Sequence, residues 1–376
     1  MFKSLFYIGG MLVSKALTNI LLIILLSNLL SSSDLLIVSL LFSYGAIFGV
    51  LFDFGHQVQI PKICQGNVDF NLILEQKVHE KYILLVVYIV FLILFFNIIS
   101  PSVIDVEILY LFFAAIVCHN IFLFMTSILR AKLNFKKDSI ITMPTELFAF
   151  FFILLCAYIY PSVLSIAISI FISRFLQLCI GYIFLIKDKS ITIKFRIKKY
   201  QLLSSLKSLK EGSPYFLQLL FASLITYLDM IYASSLLTTL SADIYQIAAR
   251  IIIALSFGST LIILYLLPVL SSMFINNRTV TILKMKKIFS MSIAGALCVI
   301  LCISLFLPHF IRYFLDARYI VLSDFTLQVG IIVFLKYISA ILGVFLTVQG
   351  KQWFRVIGQA LSILLFILCK ALIARS

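Results

Sequence analysis

The chain has 376 residues, of which 63% are hydrophobic and only 12% are charged, and its mean hydropathy is +1.16. Soluble domains have about half apolar and about a quarter charged residues. This composition therefore excludes a soluble enzyme, a disordered chain and a secreted disulfide scaffold. The net charge of +15 would suggest a nucleic-acid partner in a soluble protein. In a chain this apolar it indicates basic loops beside a membrane instead, and we expect no nucleic-acid partner.

Long apolar segments follow one another along the whole chain. One helical crossing of a bilayer needs about 20 residues, and several prolines lie at segment ends, where a helix can lose a backbone donor. The sequence therefore predicts an all-α polytopic membrane protein with about 11 transmembrane helices. The predicted crossings are residues 5–30, 35–60, 82–99, 106–129, 139–159, 163–186, 213–236, 244–270, 288–308, 323–347 and 353–374.

Lysine and arginine are concentrated in every second loop. The alternate loops hold few of them: Arg312, Arg318, Lys370 and Arg375. Because positive charge is retained in cytoplasmic loops, this asymmetry predicts a cytoplasmic N-terminus and, after eleven crossings, a C-terminus outside. The outer loops are short apart from residues 309–322, which leaves little room for an enzyme that processes a glycan outside.

Residues 187–212 form the longest basic connection. Within it one helical face is apolar and is flanked by Lys207 and Lys210, which predicts a short amphipathic helix on the inner membrane surface. That face is formed by Leu202, Leu203, Leu206 and Leu209. A plain basic linker is an equal alternative.

A weak internal similarity aligns Asp34 with Asp243 and Gly49 with Gly258. Such repeats are common in secondary transporters, which bind substrate between the two copies. We therefore divide the chain into an N-terminal six-helix bundle (1–186), the basic linker (187–212) and a C-terminal bundle of about five helices (213–376).

Ionisable residues inside the crossings are costly, and they usually face a cavity or a partner. We predict a substrate-binding set of four cations, two in each half: Lys15, Arg174, Arg250 and Lys336. We predict that three acidic residues act in gating or coupling: Asp229, Glu146 and Asp53. The excess of cations favours an anionic cargo, whereas snorkelling or structural ion pairing is the alternative for each single cation.

Partners can be expected for several polar residues of the crossings. Asp229 and Arg250 lie at similar depth on neighbouring crossings, so we expect an ion pair. Glu146 is either a proton-coupling carboxylate or the partner of a cation such as Lys15. We expect His119 and the adjacent asparagine to form helix–helix hydrogen bonds rather than a site.

No nucleotide-binding loop, zinc spacing or catalytic triad is recognisable, so we expect no cofactor, no metal and no enzymatic activity.

Several short motifs lie in or beside the first, second, seventh and eighth crossings. They are Gly9-Gly10, Phe52-Asp53-Phe54-Gly55, Gly212-Ser213-Pro214-Tyr215-Phe216, Tyr227-Leu228-Asp229, Ala242-Asp243-Ile244-Tyr245 and Ala248-Ala249-Arg250. With six crossings before a basic linker, these motifs resemble polysaccharide flippases of the O-antigen (Wzx) type. Those proteins belong to the multidrug/oligosaccharidyl-lipid/polysaccharide exporter superfamily. The family usually has twelve or more crossings and often a small residue at the position of Asp243, and here the sequence departs from it.

The resemblance implies two bundles in a V around a central cavity that opens alternately to each side. It implies transport of an undecaprenyl-pyrophosphate-linked oligosaccharide, such as an O-antigen unit for lipopolysaccharide, to the outer leaflet of the bacterial inner membrane. The implied partners are membrane lipids, a polysaccharide polymerase and a chain-length regulator. A wet cationic cavity would replace the hydration of the charged headgroup, which is costly to remove.

Four other functions stay open. A flippase for a peptidoglycan precursor has the same requirements, whereas an ion-coupled drug antiporter would need essential buried acids. A non-transporting scaffold of a glycan assembly complex would tolerate neutralising all four buried cations. A glycan-modifying enzyme would need a reactive outer loop, and the outer loops offer little beyond Asp316 and Asp324.

Overall fold

The computed structural model describes residues 25–63, 70–99, 105–132, 134–187 and 201–373, together with residues 7, 9, 10, 14 and 22. Lys15 and most of the predicted crossing 5–30 lie outside the described residues, as do residues 188–200 of the predicted linker. The described part is helical and contains no strand. The predicted all-α fold is therefore confirmed.

The helices follow the predicted crossings closely. In chain order they are α1 (Ser32–Asp53), α2 (His56–Ile63), α3 (Phe70–Ile99), α4 (Val106–Ala131), α5 (Phe135–Ile159), α6 (Val163–Lys187), α7 (Gln201–Leu236), α8 (Thr239–Leu255), α9 (Phe257–Asn276), α10 (Arg278–Phe314), a 3-10 helix (Ala317–Phe325), α11 (Thr326–Val348) and α12 (Gln352–Ile373). Within the described ranges, eight helical stretches are long and apolar enough to cross a membrane. A multi-pass membrane protein is thus confirmed, whereas the count of eleven stays a prediction.

Two predicted crossings are each built from two helices. Segment 35–60 breaks at Phe54 and Gly55, whose φ angles are +52° and +80°, because left-handed residues cannot continue a right-handed helix. Segment 244–270 breaks at Ser256, whose hydroxyl donates to the carbonyl of Ile252 at 2.6 Å. Such side-chain bonds compete with the helical ladder.

The first turns of α7 replace the separate surface helix expected in the basic linker. α7 runs without a break from Gln201 through Gly212 and Pro214 to Leu236. These first turns are bonded to α3, since Gln76 donates to the carbonyl of Ser204 at 3.2 Å. The division at residues 187–212 stays a prediction, but residues 201–212 are not a helix of their own.

The helices form two groups that meet along α1. In the first group α4 contacts α1, α2, α5 and α6, and in the second α11 contacts α8, α9, α10 and α12. We count α3 with the first group, since it contacts α1, and α7 with the second, since it contacts α8 and α12. Between the groups, α1 contacts α7 and α8, α2 contacts α7 and α9, and α3 contacts α7. The main apolar core accordingly contains residues of both groups, among them Val38, Phe113, Ile247 and Val333.

The α1–α2 break is docked onto α7. Phe54 stacks on Phe216 with ring centroids 4.5 Å apart and planes 4° from parallel. A Cβ on Gly55 would lie 2.8 Å from the Cβ of Tyr215 and 2.9 Å from its carbonyl carbon. Only glycine therefore allows this approach.

We expect Gly55→Ala to destabilise the protein more than Gly350→Ala does. Both glycines have positive φ, but a Cβ on Gly350 would meet no atom within 4 Å. Backbone strain of about 1 kcal/mol is thus common to both, and Gly55→Ala adds overpacking of about 1–3 kcal/mol. The measurement is the midpoint of thermal unfolding in detergent, and equal midpoints for the two variants would contradict this packing.

Candidate functional site

A cavity of about 650 Å³ lies between the two helix groups. Its wall is mostly apolar and comes from α1, α2, α4, α5 and α6 on one side and from α7, α8 and α9 on the other. The polar side chains that line it are Asp53, Gln57, His119, Asn120, Arg130, Glu146, Arg174, Tyr227 and Arg250.

The cavity brings together several of the residues predicted from sequence. Arg174 and Arg250 line it from opposite groups, and Glu146 and Asp53 line it as well. Two others, Lys336 and Asp229, are not among its lining residues. Lys15 lies outside the described residues.

Arg174 lies in a hydrogen-bonded network between α4, α5 and α6. Its Nη1 atom donates to Oε1 and Oε2 of Glu146 at 3.1 and 3.0 Å and to Oε1 of Gln177 at 2.9 Å. The Nε2 atom of Gln177 donates to Oε1 of Glu146 at 3.1 Å. The charge of Arg174 is therefore compensated by a carboxylate within the same group of helices.

His119 completes this network. Its Nδ1 atom lies 3.1 Å from Oε1 of Gln177. Because an amide oxygen only accepts, Nδ1 is assigned as the donor. The expected helix–helix hydrogen bond is thus formed by His119, whereas Asn120 donates to the carbonyl of Ile116 in its own helix at 3.0 Å. Both residues also line the cavity. Sequence analysis missed Gln177, since an uncharged side chain inside an apolar segment gives little signal.

Arg250 has a different environment. It is 9% exposed, and its Nη2 atom donates to the carbonyl of Ser39 at 2.6 Å and to the hydroxyl of Ser43 at 3.3 Å, both on α1. The rings of Phe42 and Tyr227 lie 5.6 and 5.9 Å from the guanidinium carbon. Among the described residues no carboxylate forms an ion pair with Arg250.

The predicted ion pair between Asp229 and Arg250 is therefore wrong. Asp229 instead accepts a hydrogen bond from the hydroxyl of Tyr245 at 2.7 Å, and its charge interacts with that of Lys336. Tyr245 and Arg250 are five residues apart, so they occupy different faces of α8. The hydroxyl of Tyr245 bonds to α7, whereas Arg250 bonds to α1. The depth of a residue in the membrane does not show this difference.

The basic loops contribute a further cavity residue. Arg130 lies just beyond the predicted crossing 106–129, but it belongs to α4, is buried and lines the cavity. Its side chain turns back along α4 and donates to the Thr126 hydroxyl at 2.9 Å, and its Nε lies 3.5 Å from Asp138. Asp53 at the same end lies 3.5 Å from Lys81.

The described charges at the cavity therefore balance except at one position. Arg130 is paired with Asp138, Arg174 with Glu146 and Asp53 with Lys81. Arg250 has only neutral acceptors. The unbalanced charge of the described wall is thus positive and lies at Arg250.

A second set of contacts joins the groups at the end of the bundle that carries the short loops. Arg318 donates to the carbonyl of Ser27 at 2.9 Å and to the hydroxyl of Ser32, and it lies 3.4 Å from Asp243. Tyr319 donates to the same carboxylate at 2.9 Å. Arg318 was predicted only as an outer-loop cation; here it bridges the two groups.

The pairing of Arg174 with Glu146 predicts non-additive mutations. Glu146→Gln and Arg174→Gln should each lower the free energy of unfolding by about 1–3 kcal/mol, because each leaves the charge of the other residue largely buried without an opposite partner. The double variant should cost less than the sum. Thermal unfolding of the purified protein measures all three, with the exposed Arg312→Gln as a neutral control. Additive losses would contradict the pairing.

Comparisons with known proteins identify the family and the fold. The model of the polysaccharide biosynthesis protein family matches residues 1–274. No curated protein matches the sequence. Among solved structures, a mutant of the Vibrio cholerae MATE transporter VcmN is 14% identical with a TM-score of 0.72, covering 96% of this chain and 85% of that chain.

Two further structures extend the likeness. An outward-facing multidrug resistance MATE family transporter of the MOP superfamily is 14% identical with a TM-score of 0.73, covering 95% of this chain and 84% of that one. The eukaryotic MATE transporter AtDTX14 is 13% identical with a TM-score of 0.59, covering 93% and 83%. At these identities the likeness establishes the MATE fold alone. The family match covers most of the sequence, and the chain therefore belongs to the polysaccharide biosynthesis protein family.

Proposed function

We propose that this protein is a membrane transporter that moves a lipid-linked, anionic saccharide from the inner to the outer leaflet of a bacterial inner membrane. The cargo we propose is an O-antigen or similar repeat unit on undecaprenyl pyrophosphate. Membership of a polysaccharide biosynthesis family and the fold of MATE transporters support this proposal. The observation that carries it is the uncompensated guanidinium of Arg250 in a cavity between the two groups of helices.

A phosphate would be a stronger partner for Arg250 than its present ones. The carbonyl of Ser39 and the hydroxyl of Ser43 that it contacts are neutral, whereas a phosphate adds a negative charge, whose attraction to the guanidinium is strong where water is excluded. A guanidinium also binds phosphate oxygens in a bidentate manner. An anionic headgroup therefore displaces Ser39 and Ser43 from Arg250.

This exchange connects cargo binding to movement of the two groups. Arg250 belongs to α8, whereas Ser39 and Ser43 belong to α1. When the cargo binds Arg250, the hydrogen bonds from Arg250 to α1 are lost. The state in which the two groups are separated is then favoured. A ligand shifts such an equilibrium by its difference in affinity for the two states.

The cavity has the size that such a headgroup requires. Its volume of about 650 Å³ falls within the range of about 300–1,000 Å³ typical of ligand pockets. It holds a pyrophosphate with its first sugars while the lipid tail stays in the bilayer. We propose that the end of the bundle with the basic loops faces the cytoplasm, as the positive-inside rule predicts.

The second candidate function is an ion-coupled antiporter for a cationic molecule. It is favoured by Glu146 and Asp53, two carboxylates that line the same cavity. Both are already paired with cations, at 3.0 and 3.5 Å, so neither offers a free negative charge to a cargo. For this reason the anionic cargo is the better conclusion.

Arg250→Gln should lower surface glycan by roughly tenfold or more, since a hydrogen bond to a charged group contributes about 1.5–3 kcal/mol. Arg250→Lys should cause a smaller loss, because lysine keeps the charge but not the bidentate geometry. The measurement is surface glycan in cells lacking the native gene, with protein abundance measured in parallel. Arg312→Gln, which removes an exposed arginine of the same half, is the matched control. Normal export by Arg250→Gln at normal abundance would contradict the proposal.

A further inference from the structure

A buried polar cluster lies next to the cavity at the end of the bundle with the basic loops. We call it the basic-end cluster and define it as Asp53, His56, Lys77, Glu80 and Lys81. His56 and Glu80 are both 0% exposed, and the other three are also buried. The cavity wall includes only Asp53 from this set, so the cluster is not explained by cargo binding.

Each charged member of the cluster has an opposite partner. Lys77 donates to Oε1 and Oε2 of Glu80 at 3.0 and 2.9 Å, and Lys81 lies 3.5 Å from Asp53. Two cations and two carboxylates therefore balance as long as His56 is neutral.

Among the described residues, the charges that act on His56 are those of Glu80, Lys77 and Lys81. Three other helices pack against α2. α4 contributes the ring of Phe124 at 5.9 Å, the sequence of α9 contains no charged residue, and Lys207, Lys210 and Glu211 of α7 are exposed.

The hydrogen bonds leave one nitrogen of His56 open to a proton. Nε2 lies 2.8 Å from Oε2 of Glu80, and because a carboxylate only accepts, Nε2 carries the hydrogen. Nδ1 then holds a lone pair, and it is buried without a hydrogen-bond partner in the part of the chain that the structure describes. An imidazole is the side chain whose charge changes most readily near neutral pH.

The cluster also holds the two groups of helices together. Lys77 donates to the hydroxyl of Ser208 on α7 at 3.0 Å, and the neighbouring Gln76 donates to the carbonyl of Ser204 at 3.2 Å. Any change in the cluster's charge therefore acts directly on a contact between α3 and α7.

We propose that Nδ1 of His56 is a proton-binding site and that the bound proton favours opening of the basic end. The proton comes from water and converts a balanced cluster into one with a surplus positive charge. A buried, unpaired charge is strongly unfavourable, and it is relieved when α7 moves away from α3 and water reaches Lys77 and His56. The inference rests on the proposed transport function and names the proton as its coupling ligand.

Disulfide cross-linking of α3 to α7 tests the site without any cargo. Gln76→Cys and Ser204→Cys are introduced into the full chain after its seven native cysteines are replaced by serine. The protein is reconstituted in lipid nanodiscs and oxidised between roughly pH 4 and pH 8, because burial disfavours the charged form of an imidazole and moves its titration below the range of an exposed one. Because thiol chemistry itself varies with pH, the quantity compared is the yield in the parent divided by the yield in His56→Gln. Glutamine still donates to Glu80 but binds no proton.

We expect this ratio to fall severalfold as the pH is lowered. His79, a neighbouring buried histidine outside the cluster, also has a ring nitrogen, Nε2, without a hydrogen-bond partner among the described residues. His79→Gln should keep the parent's pH dependence, and loss of that dependence would assign the proton to His79 and overturn the site at His56. Glu80→Gln leaves a surplus positive charge at every pH and should cross-link poorly throughout. If His56→Gln is not recovered from membranes, the cross-linking yield of Glu80→Gln still tests the proton site.

A constant ratio at all pH values, or a Glu80→Gln variant that cross-links as well as the parent at high pH, would overturn the proton site. Neither result bears on Arg250, because no cargo is present in the assay. Conversely, normal glycan export by Arg250→Gln would remove the proposed function while leaving a pH-dependent α3–α7 contact in place.

Discussion

A charge buried between apolar helices must be balanced by a partner, and this constraint arranges the polar residues of the molecule. Arg174 is balanced by Glu146 within one group of helices, and Arg130 is balanced by Asp138. Arg250 is the exception among the described cations of the cavity wall, since it bonds only to neutral atoms of α1. A site that must bind and release an anion requires this kind of exception, because a cation already held by a carboxylate gains little from a second anion.

The same constraint explains why the two groups of helices touch where they do. Near one end Arg250 and Arg318 of the second group donate to α1 and to the residues just before it. At the other end Lys77 donates to Ser208 of α7, and Gly55 allows the α1–α2 break to approach the same helix. These polar contacts between the groups are hydrogen bonds to neutral partners, which exchange for water or cargo at modest cost. In our account, the helices within each group move together while these contacts change.

Hydropathy was sufficient to predict most of the fold, because bilayer thickness fixes the length of each apolar segment. The same cost of burying charge identified Arg174, Glu146 and Arg250 as cavity residues. The depth of a residue along a crossing, however, does not show which face of the helix it occupies. For this reason the partner of Asp229 was predicted wrongly. Hydropathy also fails where a helix extends beyond its apolar part. α3 begins at Phe70, well before the predicted crossing 82–99, and so Lys77, Glu80 and Lys81 of the basic-end cluster were placed in a loop.

The central claim is that the anionic headgroup replaces α1 as the partner of Arg250. The most direct test is a cryo-EM structure of the full chain in lipid nanodiscs with a polyprenyl-pyrophosphate-linked saccharide bound. The account predicts pyrophosphate density against the Arg250 guanidinium, with Ser39 and Ser43 released from it and the two groups further apart near that residue. Pyrophosphate density elsewhere in the cavity, with Arg250 still bonded to Ser39, would contradict it.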